Sequence, residues 1–351
     1  MRLNIKTLRY TIMMLSLISA VQCGEKDFDN MNSDSIQDDY DSYWYWSYEA
    51  GLVINAETLG MEASEDFVPY TVAHVGDSLF VANIGKQGNS LMIFNAESGE
   101  AVNTIKSWTF NNAELGFTSS IEAIVPAGNH LYVSERQSLI HVFELPGMNY
   151  IACIGNGNWS GPVFQAQAMT VKDGFVFARD KTGEVSIYKE SDATPENYRK
   201  VNRYKKVSGN GSLGNNAFAT HYMQPDADGN IMLTDYGTGR IRVLDPSLVN
   251  DELANGTSID IDGLSMQLEF KPKTFALCSD RWYATGDNDH INIYDFKKNE
   301  WVKKIKAVKG YSFLQPARIY AQNDSILWVS DTNGSKRALV KVLVHKGEIR
   351  E

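Results

Sequence analysis

Cysteine is scarce in this chain. Three in 351 residues are too few for a disulfide framework, and none falls in a CxxC or zinc-ligand spacing. Positive charge is scarce too: 33 Lys and Arg stand against 43 Asp and Glu. With no clustered basic face, this balance argues against a nucleic-acid partner, whose phosphates demand cations. No apolar run is long enough to span a bilayer, and long helical periodicity is missing. There is no serine-nucleophile motif, phosphate loop or dinucleotide fingerprint. The six histidines (His74, His130, His141, His221, His290 and His345) are scattered, and no two have metal-ligand spacing. Asp226-Ala227-Asp228-Gly229-Asn230 opens like a calcium loop, but the twelfth position is Gly237 where Glu is needed, so it reads as a plain turn. No metal and no cofactor is expected.

What is present is a unit repeated six times after residue 65. Each copy has an apolar strand ending in a polar or acidic residue, a turn, and a second apolar strand. The clearest runs Leu131-Tyr132-Val133-Ser134-Glu135, then Ile140-His141-Val142-Phe143. Counted at Leu79, Leu131, Val176, Ile231, Tyr283 and Leu327, the units are 52, 45, 55, 52 and 44 residues apart, long enough for four strands each. Gly, Asn and Asp precede these strands, as at Gly128-Asn129 and Asp173-Gly174, where hairpins need residues that tolerate left-handed backbone. Period-two alternation with repeats of this length predicts an all-β chain, a β-propeller of six four-stranded blades, with seven blades as the alternative count. The recurrent acids Glu135, Asp180, Asp235, Asp287 and Asp331 read as structural acceptors of backbone hydrogen bonds at strand ends.

The last repeat ends near Val344 and lacks its outermost strand. Ala50–Ala56 precedes the first full repeat and reads as the lone strand that completes the last blade, covering an edge that would invite aggregation. Tyr43–Tyr48, rich in Tyr and Trp, reads as packing that anchors this strand in preference to a sugar-stacking platform. Cys153 and Cys278 fall in different repeats, too far apart to bridge, and are expected to be small buried apolar residues.

The N-terminus reads as an address. Arg2, Lys6 and Arg9 precede an apolar run, Ile12–Ile18, and then small residues, the pattern of a secretory signal over 1–22. Cys23 resembles the lipidated cysteine of bacterial lipoproteins. Residues 23–42 carry Glu25, Asp27, Asp29, Asp34, Asp38, Asp39 and Asp41, too polar to fold, and are expected to form a disordered acidic tether before a propeller over 43–351. Removing residues 1–22 takes away three basic residues and no acid, leaving 30 basic against 43 acidic residues and a net charge of −13. The acidic run after the cysteine resembles the surface-export signal of Bacteroidetes lipoproteins, and Asp34-Ser35-Ile36 resembles the O-glycosylation motif of that phylum.

The repeats resemble the NHL type of six-bladed propellers over about residues 66–345, most clearly in the run from Ile231 to Asp245. Together with the N-terminus, the chain resembles the six-bladed propeller lipoproteins of the Bacteroidetes. That resemblance implies an outer-membrane lipoprotein, at the cell surface or otherwise facing the periplasm, held to the membrane by its lipid alone. Its implied role is to bind a ligand or partner, such as a glycan or an outer-membrane transporter.

Counting back nine residues from each second strand places Tyr70, Glu122, Gln167, Tyr222, Thr274 and Arg318 as a polar ring about the channel, a candidate ligand site. Lactonase-like propellers hold a divalent ion with Glu, Asn and Asp on the axis, but only Glu122 matches that pattern here. The leading expectation is therefore a non-enzymatic binding module. The alternative is a hydrolase or lyase acting on a carbohydrate or lactone through Glu122, His221 and Arg318, and a purely structural interaction platform is a third reading.

Overall fold

The computed structural model describes residues 39–40, 44–137, 139–155, 166–179, 185–207, 221–244, 266–295, 298, 300–334 and 337–348. The expected signal, Cys23, the glycosylation-like motif and most of the tether lie outside these residues, as does Asp180.

Among the described residues, six antiparallel sheets of four or five strands follow one another along the chain. Blade I begins with Pro69–Val75, blade II with Ile121–Ala127, blade III with Met169–Lys172, blade IV with Met223–Pro225, blade V with Thr274–Leu277 and blade VI with Pro316–Asn323. Each of these is the innermost strand of its sheet, and the chain then meanders outward. Blade VI is the exception: its fourth strand is Trp44–Asn55, which pairs antiparallel with Ala338–Glu348. The predicted closure is therefore present, and the closing strand is longer than Ala50–Ala56 because it takes in the aromatic segment. Asp39–Tyr40 adds a short fifth strand outside it.

Period-two alternation explains how the ring holds together. Along Leu131-Tyr132-Val133, Leu131 and Val133 join a core with blade I, whereas Tyr132 joins a core with blade III. Each blade is thus apolar on both faces, and among the described residues six apolar clusters sit one between each pair of neighbouring blades. The cluster between blades VI and I includes Ile54 of the closing strand with Trp328 and Phe94. Six blades and six interfaces decide the count against seven. Solvent takes over at the rim, where the outer strand Ala101–Ile105 is mostly exposed.

Trp46 and Tyr48 are buried, and the Arg281 guanidinium of blade V lies 3.6 Å from the Trp46 ring centre while donating to the Tyr48 hydroxyl. The aromatic segment therefore anchors the closing strand. Two small hairpins were not expected from the repeat: Ser107–Phe110 with Ala113–Gly116 before blade II, and Ala307–Val308 with Tyr311–Ser312 before blade VI. The first turns on Asn111 and Asn112, both at positive φ, a pairing that suits a two-residue hairpin.

Glu135 and Asp331 act as the expected strand-end acceptors, and Asn83, which was not among the recurrent acids, does the same in blade I. Glu135 Oε2 accepts from the Thr118 and Ser119 amides, Asp331 from those of Leu314 and Gln315, and in blade I Asn83 Oδ1 accepts from Val68 and Gly85. Each group pins the segment that leads into its blade's inner strand. In blade IV, Asp235 also accepts a backbone amide as expected, that of Thr238 in its own turn, and its other oxygen takes the Thr238 hydroxyl and the buried Arg242. Asp287 departs from the expectation. The cross-strand pairing puts Gly286, not Asp287, at the strand-end position, and Asp287 is a half-exposed residue that bonds the Tyr236 hydroxyl and bridges to Lys273 at 2.7 Å.

Two further turns and thiols are placed. The Asp226 carboxylate is engaged by the Asn230 amide and side chain, so it closes a hairpin turn. Cys153 and Cys278 are unpaired, and Cys153 is buried as expected. Cys278 is only half-buried, at a turn beside Asp324; burial, and then that carboxylate, push its thiol up to about 12.

Candidate functional site

The six ring candidates fall on two different register positions. The residues opposite the last hydroxyl of the second strand are Ala123 opposite Ser134, Thr274 opposite Thr285 and Arg318 opposite Ser330. Backbone bonds put Tyr222 and Ala168 at the same place in blades IV and III. One residue earlier in each blade lies a second set: Tyr70, Glu122, Gln167, His221, Lys273 and Ala317. Tyr70, Glu122 and Gln167 therefore belong to one ring, whereas Tyr222, Thr274 and Arg318 start from the next position.

Physical consequences follow from that offset. Thr274 is fully buried, shares a hydrogen bond with Thr285 and accepts the Ile319 amide, so it stitches blade V to blade VI. Tyr222 sets its ring edge-on to Phe275, between blades IV and V. Burial raises its phenol well above the ordinary range, with Tyr320 adding to the effect. Arg318 alone among the offset residues is long enough to return to the channel mouth. Its Nη2 donates to the Tyr70 hydroxyl at 2.6 Å and its Nη1 to the His221 carbonyl at 2.6 Å, with the guanidinium 4.5 Å from the Tyr70 ring centre. It thus ties blade VI to blades I and IV.

Around this bridge stand His221, Lys273 and Tyr236, which the ring count did not include. The His221 ring meets Tyr236 edge-on at 5.1 Å, Tyr236 bonds Asp287, and Lys271 lies 5.4 Å from the Tyr236 ring centre. Arg179 donates to Gln167 Oε1. Burial first, then the charges of Arg318, Arg179 and Lys273, lower the His221 pKa to about 3, so its imidazole is neutral at physiological pH. Glu122 is 5% exposed; Ser120 donates to its Oε1, while its Oε2 has no hydrogen-bond partner among the described residues. Glu122 and Arg318 are not paired with each other.

Bulges re-aim the inner strands here. Tyr70, Glu122 and Ala317 are each the extra residue where two positions of the inner strand face one of the second strand. Positions of this kind are used to present a side chain away from the regular pleat, and the Asn83, Glu135 and Asp331 acceptors hold the same three segments.

No family model matches the chain, and no curated protein does. Solved structures do. A protein of unknown function from Bacteroides thetaiotaomicron superposes with a TM-score of 0.56 at 12% identity, over 86% of this chain and 76% of that one. The β-propeller domain of Cps50 (Swd1) from Myceliophteria thermophila superposes with a TM-score of 0.54 at 9% identity, over 84% of this chain and 99% of that domain. At these identities the likeness establishes the fold: the chain is a β-propeller.

Proposed function

We propose that this propeller is a binding module, lipid-anchored through Cys23 and displayed at the outer-membrane surface. It takes its ligand at the channel mouth and serves as an accessory to glycan capture or to an outer-membrane transporter. The observation that carries this reading is the mouth itself. Arg318, Tyr70, His221 and Lys273 meet there at the starts of the inner strands, and Glu122, at the same ring position in blade II, keeps an unspent carboxyl oxygen. A polar constellation held by a packed scaffold is the arrangement a ligand site needs. The NHL-like repeats and the lipoprotein-like N-terminus support the cellular address.

Binding is favoured over the hydrolase or lyase alternative by the state of His221. With its pKa near 3 it is a weak proton acceptor at neutral pH, and Arg318 engages its backbone carbonyl and not its ring. The test is affinity capture of the tagged full chain from its native outer membrane, beside a Lys273→Ala variant. Recovery of a transporter, glycan-processing enzyme or glycan with the wild type and its loss with the variant is the expected result. Recovery of the protein alone, or of the same companions with both, rejects the reading. Cys23→Ser should move the protein out of the membrane fraction.

A further inference from the structure

The mouth carries a charge pattern at odds with the acidic chain around it. Four cations, Arg179, Lys271, Lys273 and Arg318, gather about His221 and Tyr236 with one acid, Asp287, and Glu122 holds the equivalent ring position in blade II. Asp287 is already bridged to Lys273. Arg318 is 5% exposed, yet its bonds go to a phenol and a backbone carbonyl, both neutral, and no carboxylate lies within ion-pair reach of it among the described residues. A buried guanidinium without an anion is an unfavourable arrangement that a bound anion relieves. Neutral His221 adds no positive charge of its own, so the attraction comes from the fixed cations and does not switch off over physiological pH.

Glu122 points to the rest of the ligand. Its Oε2 is buried without a partner, and such a group is costly unless something in the channel bonds it. A hydroxyl group can do so. Glu122 in the ring and Asp287 beside Lys273 disfavour a dianion such as phosphate, which leaves a monoanion carrying hydroxyls.

Building on the binding role above, we propose that the mouth recognises a carboxylate-bearing polyol, the chemistry of a uronic acid. Its carboxylate lies against Arg318 and Lys273, and a hydroxyl bonds Glu122. The same chemistry occurs in a glycan chain or in a free sugar acid.

Calorimetric titration of the full chain tests this with oligogalacturonate, its carboxyl-reduced counterpart, free galacturonate, galactose 6-sulfate and inorganic phosphate. The acid should bind at least about tenfold more tightly than the reduced form, as expected for one charge-assisted hydrogen bond, and binding should weaken as salt rises. Tighter binding of the oligomer than of the monomer identifies a glycan source, and equal binding a free acid. Arg318 is buried, so Arg318→Lys, which keeps the charge, is compared with Arg318→Met, and Lys273→Ala at a half-exposed position is the companion variant. Equal affinity for the reduced form, the sulfate ester or phosphate overturns the inference, as does acid binding that ignores both salt and Lys273→Ala. If the neutral counterpart binds and depends on Lys273, the binding role stands and the acidic ligand falls. If nothing binds in a mouth-dependent way, both fall.

Discussion

His141 Nε2 lies 2.6 Å from Glu135 Oε1, and both side chains are sealed from solvent beneath the Ser107–Gly116 hairpin, where Trp108 packs edge-on to the imidazole at 4.8 Å. Burial alone would lower the His141 pKa, but the neighbouring Cys153 and the hydrogen bond to Glu135 outweigh it and carry the value to about 9. For Glu135 burial likewise opposes the charged form, and the bonds from His141, Thr118 and Ser119 prevail, leaving its pKa below the ordinary 4.5. The contribution of His141 is fully present below its ordinary 6.5 and is lost as pH rises through 9; that of Glu135 is present above 4.5 and is lost as pH falls below it. The pair therefore stabilises most between these two ordinary values. His141→Ala strands a buried carboxylate and should cost roughly 3–5 kcal/mol, measured by urea denaturation. A loss that is the same at about pH 5.5 and about pH 9.5 would show that the histidine is not held as a cation.

His221 pulls the other way. Its folded pKa lies far below 6.5, so the unfolded chain takes up a proton that the folded chain refuses, and stability falls as pH drops below 6.5. The two histidines act in adjoining windows, His141 above 6.5 and His221 below it. The His221 loss on the acid side should therefore persist in His141→Ala, whereas the loss between 6.5 and 9 should disappear. Proton NMR of the imidazoles reads this directly: the His221 resonance should not titrate between about pH 5 and about pH 8, and Arg318→Met should raise its pKa. Ordinary titration of His221 near 6.5 in the wild type would mean that it is neither buried nor surrounded by cations as described.

Ring closure rests on Trp46. Arg281 covers its indole, and the same guanidinium is bonded to the Tyr48 hydroxyl and paired with Asp295 at 3.2 Å. Trp46→Ala removes a buried side chain from the blade V–VI contact and should cost about 3–5 kcal/mol. It should also promote self-association on size-exclusion chromatography by loosening the strand that covers the Ala338–Glu348 edge. Tyr45→Ala, at an exposed position of the same strand, should cost less than about 1 kcal/mol. Similar losses for the two would deny Trp46 its anchoring role.

The blade count, the meander and the N-terminal closure were legible because they depend on alternation, which Leu131, Tyr132 and Val133 display in plain form. The channel ring was half legible. Counting nine residues back works for Tyr70, Glu122 and Gln167, and slips by one afterwards for three separate reasons. Blade IV has a longer turn, since Pro225 pairs with Ile231 across five intervening residues. In blade V the strand begins at Arg281, so Tyr283 is one position late as a counting point. In blade VI a second irregularity between Ala321 and Asn323 adds a residue. Turns and bulges of this kind shift the register without disturbing the apolar pattern, so Lys273 was hidden by its neighbour and His221, though a candidate in the enzyme alternative, was left out of the ring. The Asn111-Asn112 turn was a usable sign of the extra hairpin.

Asp331 offers a test with a control built into the fold. It accepts the Leu314 and Gln315 amides at 2.8 and 2.7 Å and the Tyr311 hydroxyl at 3.1 Å, and it thereby holds the bulged start of blade VI. In blade I the same task falls to an amide: Asn83 Oδ1 accepts Val68 and Gly85 at 2.7 and 3.1 Å, while its Nδ2 donates to the Asp66 carbonyl at 2.9 Å. One oxygen can therefore pin a lead-in segment, provided the nitrogen finds an acceptor. Asp331→Ala removes every acceptor and should cost about 2–4 kcal/mol, because two backbone amides lose their partners. Asp331→Asn keeps one oxygen and should cost about 1 kcal/mol. Asn83→Asp should be worse than Asp331→Asn, since it loses the donor to Asp66 and sets a carboxylate against that carbonyl. Urea denaturation ranks the three. If Asp331→Ala is no more harmful than Asp331→Asn, the strand-end acceptors do not hold the inner strands, and the placement of Tyr70, Glu122 and Arg318 at the mouth must have another origin.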